Sequence, residues 1–127
     1  MPQLLETQEP YLRTVLSAAS AQLEPSSVVM QPTHAVLLQV QYSGRIFRLN
    51  EPIYLVRYAE NGYIYLESKL LSIIGYGRSE RDAVNSFCED FVVLWEAIAQ
   101  SADASLTPEA RGVKRKMLNV VNTVVPE

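Results

Sequence analysis

The sequence predicts an α+β fold: an antiparallel β-meander of about four strands packed on one long helix, with additional N-terminal and C-terminal helices. Three features predict it: tyrosine-rich alternating runs on both sides of Asn61-Gly62, a Gly75-Tyr76-Gly77 stop, and a capped apolar stripe from Ser79 to Gln100. With 127 residues and 48% hydrophobic content, the chain is expected to form a single domain whose core needs no disulfide or metal. Residues 1–33 are assigned to an N-terminal helix and connection, 34–100 to the strand-and-helix core, and 101–127 to a C-terminal helix.

In the first segment Leu12, Val15, Leu16, Ala19 and Leu23 recur at helical spacing, with Thr7 placed to cap the start and Pro25 marking the end. The Pro-, Ser- and Gln-rich stretch from Glu24 to Thr33 reads as a connection. Ala35 to Gln41 and Arg45 to Leu49 flank Tyr42-Ser43-Gly44, which predicts a tight hairpin with Gly44 at positive φ. Pro52 would remove a ladder donor in mid-sheet, so a bend is expected there and a new strand from Ile53. Asn61-Gly62 suits a two-residue type I′ turn, which requires positive φ at both central positions.

That turn sets a register in which Glu60 pairs with Tyr63, Tyr58 with Tyr65, and Val56 with Glu67. Because side chains alternate, these residues share one face with Tyr54. The other face carries Ile53, Leu55, Ala59, Ile64, Leu66 and Leu70, with Arg57 and Ser68 among them, and is expected to meet the main helix. Gly75 and Gly77 let the backbone turn away from the sheet. Ser79 is then the N-cap, Asp82 stands at N3, and Glu80 adds negative charge to the first turn. Val84, Phe87, Cys88, Phe91, Leu94, Trp95 and Ile98 form the apolar stripe, with Asn85, Glu89, Asp90 and Glu96 on the solvent side. After a loop at 101–105, Thr107-Pro108 opens a last helix with Ala110, Val113, Met117, Leu118, Val120 and Val121 as its apolar positions.

Composition narrows the chemistry. A formal net charge of -3 and a pI near 5.2 give no general attraction for polyanions, so nucleic acid is not the favoured partner. Cys88 is alone and falls on the apolar helix face, which fits a small core residue in a reducing compartment. No run approaches the roughly 18 apolar residues of a membrane span, and the first residues have no basic n-region; a cytoplasmic protein is expected. One cysteine and one histidine, His34, supply neither a nucleophile–base pair nor a zinc site. Gly75-Tyr76-Gly77 lacks the third glycine and the Lys-Ser/Thr ending of nucleotide-binding loops.

The strand–helix order also resembles a degraded ribonuclease H core. Two-metal cleavage there needs converging acids, but Ile53 to Ala59 contains none, Glu60 and Glu67 fall on the tyrosine face, and Glu89 and Asp90 on the solvent side of the helix. We therefore expect no catalytic residues, no metal and no cofactor.

Two groups remain as candidate binding residues. Tyr54, Tyr58, Tyr63 and Tyr65 form an amphipathic sheet face suited to a protein surface, to self-association or to the N-terminal helix. Such a face could also stack single-stranded bases, but Glu60 and Glu67 would repel phosphates. Arg111, Lys114 and Arg115 share a helical face and are the alternative, nucleic-acid-binding candidates. The simpler role for this cluster, with Lys116, is to solvate the helix and complement Glu89, Asp90 and Glu96.

The residues Ile53-Tyr54-Leu55-Val56-Arg57-Tyr58, Asn61-Gly62-Tyr63-Ile64 and Gly75 to Val84, leading to Phe87, resemble the strand–strand–helix core of the HicB-like antitoxin family over residues 51–100. The resemblance implies a non-catalytic protein that binds and masks a small RNA-cleaving toxin and self-associates. The chain departs from that family by adding Ala35 to Leu49, by lacking a Pro-rich turn before the helix, and by ending without a recognisable DNA-binding domain.

Overall fold

The computed structural model describes residues 28–127. The helix expected around Leu12 to Leu23 lies outside the described residues. Those described form one six-stranded antiparallel sheet: β1 (Val28–Met30), β2 (His34–Tyr42), β3 (Arg45–Glu60), β4 (Tyr63–Ser68), β5 (Ile73–Gly77) and β6 (Val121–Pro126). The order is β1-β2-β3-β4-β5, with β6 beside the first part of β3. Helix α1 (Glu80–Leu94) continues into a wider π-helical turn (Trp95–Ala99), and helix α2 (Pro108–Val120) precedes β6.

Local chemistry accounts for the hairpins and caps. Asn61 and Gly62 have φ of 54° and 82°, and the β3–β4 register is Glu60 with Tyr63, Tyr58 with Tyr65 and Val56 with Glu67. The β2–β3 turn uses the same geometry, with Ser43 at 55° and Gly44 at 79°. Ser79 Oγ accepts the Asp82 amide and Thr107 Oγ1 the Ala110 amide, both at 3.1 Å, each satisfying a donor of the first helical turn.

The expected four-strand meander with terminal helices is corrected to a predominantly β architecture with two α-helices among the described residues. Val28 to Met30, placed in a connection, pair with Ala35 to Leu37 as an edge strand. Instead of ending the chain as a helix, residues 121–126 form β6: past Val120 the β-branched run Val121, Thr123, Val124 and Val125 lies along Arg45 to Leu49.

Pro52 does not divide β3. Its missing donor falls where the ladder is already interrupted: the β2 register shifts between Leu37 and Gln39, β6 pairing stops at Leu49, and β4 pairing begins at Val56. Leu70 is likewise corrected, because β4 ends at Ser68 and a turn follows. Ser68 Oγ accepts the Leu71 amide, Ser72 takes φ 58°, and the turn buries Leu71 while leaving Leu70 53% exposed. Ala59, near the hairpin tip, is exposed as well.

The inner sheet face carries Leu37, Phe47, Ile53, Leu55, Leu66 and Ile73 against Val84, Phe87, Cys88 and Phe91 of α1. Phe47 meets Phe91 and Trp95 edge-to-face, with ring centroids 5.5 and 5.6 Å apart. Met117 and Val120 of α2 complete this core. Helix α1 reaches the sheet most closely over β5, where a Cβ on Gly75 would stand 2.6 Å from Phe87 Cα, and one on Gly77 2.8 Å from Asp82 C. Ser86 Oγ accepts the Tyr76 amide at 3.1 Å, so the helix also satisfies a donor of the edge strand.

Gly75→Ala should destabilise the fold by roughly 3 kcal/mol, because backbone must move to admit the methyl group. Urea unfolding measures this; a loss below about 0.5 kcal/mol, the usual range of a surface change, would contradict the close packing.

Candidate protein-binding face of the sheet

Strand alternation builds the outer face row by row. Tyr58, Tyr65 and Tyr76 are directly paired across β3, β4 and β5. Tyr58 and Tyr65 stack with centroids 5.0 Å apart and planes 7° from parallel, and Tyr65 and Tyr76 follow at 5.8 Å and 23°. Toward the Asn61-Gly62 turn the next row holds Glu60 and Tyr63, with Arg78 lying 4.9 Å from the Tyr63 ring centroid. On the other side the row runs His34, Val56, Glu67 and Ile74, and beyond it Tyr54 stands beside Val36.

Exposure is uneven: Tyr63, Tyr65 and Glu67 are half-buried, and the residues around them are open to solvent. Tyr54 is 71% exposed, Tyr76 55% and Ile74 45%, with Val56 and Tyr58 close behind. The expected set of Tyr54, Tyr58, Tyr63 and Tyr65 therefore does share one face. Only the last three join the ring cluster; Tyr54 stands two rows away.

Tyr76, expected within a turn between Gly75 and Gly77, lies instead in β5 and joins this face. The available signal was alternation: with Gly75 and Gly77 facing α1, the residue between them must point outward.

Two carboxylates punctuate the aromatic surface. Glu67 lies between Val56 and Ile74, and among the described residues neither it nor Glu60 has an ion-pair partner. Shielding from water, then the charge of Glu67, then Tyr65 and Glu60, hold the Tyr58 phenol above its ordinary pKa. The folded state thus keeps that proton longer than the unfolded chain does. Its contribution to stability is present below the ordinary tyrosine pKa and is lost as pH rises through the raised value.

Between the end of β4 and the start of β6 the sheet has a notch beside Tyr54. It forms a cavity of about 160 Å³ lined by Glu51, Pro52, Ile53, Tyr54, Ser68, Leu70 and Val120.

Comparison with protein-family models, curated proteins and solved structures finds no match for this chain.

The basic residues of α2 are not brought together as a free patch. Arg111 donates to the carbonyls of Asp103 and Leu106, and Lys114 donates to Ser101 O at 2.7 Å and to Asp103 Oδ1 at 2.9 Å. The expected complement to Glu96 is instead supplied by Arg45, 2.6 Å away. The Lys114 hydrogen bond first, and its charge second, hold Asp103 below its ordinary pKa, so this pair contributes above the usual carboxylate range and is lost as pH falls through the lowered value. Arg115 and Lys116 remain exposed.

His34 lies on the outer face with Thr33 Oγ1 2.8 Å from its Nδ1, whereas Cys88 is in the core on the opposite side of the sheet. Among the described residues no group of three His, Cys, Asp or Glu side chains could hold a metal ion. None of the described helices is long and apolar enough to cross a membrane.

Glu67→Gln should lower the Tyr58 pKa without returning it to the ordinary value, because shielding from water remains. A pH titration of the tyrosine Cζ resonances checks this, and an unchanged Tyr58 titration would refute the electrostatic link.

Proposed function

We propose that this protein is a non-catalytic, cytoplasmic protein-interaction module of antitoxin-like character that docks its partner on the outer tyrosine face. One observation carries the proposal: Tyr58, Tyr65 and Tyr76 form a continuous ring row, exposed at Tyr58 and Tyr76, with Val56, Ile74 and Tyr54 extending the apolar surface beside it. Rigid aromatic side chains of this kind concentrate binding energy at protein interfaces, since they offer large contact area for little lost rotamer freedom. The separation of His34 from Cys88 by the sheet supports a role without nucleophilic catalysis.

The likeness of residues 51–100 to HicB-like antitoxins adds a small toxin as the kind of partner to test first, and self-association as the state to test by sedimentation. A nucleic-acid role for the same face is opposed by Glu60 and Glu67, and one for α2 by the engagement of Arg111 and Lys114 in their own loop.

The test pairs the wild-type chain with a Tyr58→Ala, Tyr76→Ala double variant. Partner capture from host extract should fall by about 2 kcal/mol or more in the variant, in the range of interface hot spots. Circular dichroism should show the fold retained, because both side chains project outward. Equal capture by the two proteins, or oligonucleotide binding that weakens steeply with salt, would reject this reading.

A further inference from the structure

We infer that the occupant of the outer face is an arginine-bearing segment of the protein partner, with its guanidinium at the exposed Tyr76 end of the Tyr58–Tyr65–Tyr76 ring row and paired with Glu67. This deepens the interaction-module proposal and rests on it. The chain already contains the cation–ring half of this arrangement: Arg78 lies over the Tyr63 ring, with its Nη2 3.4 Å from the Tyr63 hydroxyl. One row away the rings are stacked, with Tyr58 and Tyr76 exposed at the two ends, and the neighbouring carboxylate, Glu67, has no cation among the described residues paired with it.

The placement of Glu67 selects the occupant. It sits between Val56 and Ile74 and next to Tyr65 along the same outer face, so any partner that covers the rings also removes water from this carboxylate. An apolar partner would leave its charge uncompensated, at a cost that would offset the gain from covering the tyrosines. A second copy docked face to face would bring Glu60 and Glu67 toward their own equivalents, and a phosphate backbone would meet the same repulsion. A guanidinium meets both demands, since its flat face stacks on a phenol ring while its edge donates to a carboxylate. An ammonium group satisfies the charge but has no flat face, which makes arginine over lysine the discriminating prediction.

The full chain is titrated with a Gly-Arg repeat peptide, its Gly-Lys counterpart and oligouridylate, following the tyrosine ring resonances by NMR. The arginine peptide should shift Tyr58, Tyr65 and Tyr76 and bind at least about threefold tighter than the lysine peptide. Glu67→Gln should weaken binding of both peptides, and the Tyr58→Ala, Tyr76→Ala variant should abolish the preference, each while leaving the unbound spectrum folded. Equal binding of the two peptides, binding undiminished by Glu67→Gln, or tighter binding of oligouridylate to the same rings would overturn the assignment. If the double tyrosine variant loses its captured partner while the peptides show no preference, the arginine assignment alone falls. If that variant holds its partner fully, the proposed face falls with it.

Discussion

The approach of α1 to β5 is the constraint on which the rest of the sheet depends. At Gly75 and Gly77 the helix backbone occupies space that any side chain would need. This contact decides which side of the sheet is interior, brings Phe87 and Phe91 over Leu66 and Phe47, and lets Ser86 reach the Tyr76 amide at the edge. It also fixes the direction of Tyr76. With glycines facing the helix on both sides, the tyrosine must stand on the outer face, where it completes a ring row begun two strands away.

The two faces differ in kind as well as in polarity. Apart from Arg57 and Ser68, the inner face is aliphatic and phenyl, closed by α1, the π-helical turn and α2. The outer face has aromatic surface with phenolic groups and carboxylates arranged in register, so its chemistry is directional. The open end of the ring row favours a flat group, and the acids, which pair with no cation among the described residues, favour positive charge; simple hydrophobic covering would meet only part of what the surface presents. Arg78 illustrates this at the hairpin end, where a cation, a ring and a carboxylate share one row. The charges of α2 do different work, tying the helix to residues 101–106 through Arg111 and Lys114.

What was legible in the sequence was local. The Asn61-Gly62 turn specified the β3–β4 register, that register specified the faces, and Ser79 marked the start of α1, because each depends on residues a few positions apart. The expected fold nevertheless needed correction wherever pairing was distant. Val120 and Val121 suit a helix by spacing and a strand by branching, and only the open side of Arg45 to Leu49 decides between them. Pro52 signals a break when considered alone, but the surrounding ladder is interrupted on both sides and accommodates it. Leu70 and Leu71 differ by one position, and the Ser68 hydroxyl, by shaping the turn, determines which is buried. Within the candidate site, Tyr58, Tyr63 and Tyr65 could be placed together by counting, whereas Tyr76 was obscured by the glycines that orient it.

The seating of β6 has a consequence for the order in which the chain becomes complete during synthesis. Arg45 to Leu49 acquires β2 as a neighbour through a turn of adjacent residues, but its other neighbour comes from residues 121–126, and the Glu127 amide donates to Gly44 O only at the far end of that pairing. A ribosome-bound chain that has produced everything through α1 therefore presents this part of β3 as an open edge, with the Phe47 core awaiting Met117 and Val120. Folding is thus tied to arrival of residues 121–126, and a translation product interrupted before them carries an unpaired strand available to a neighbouring chain.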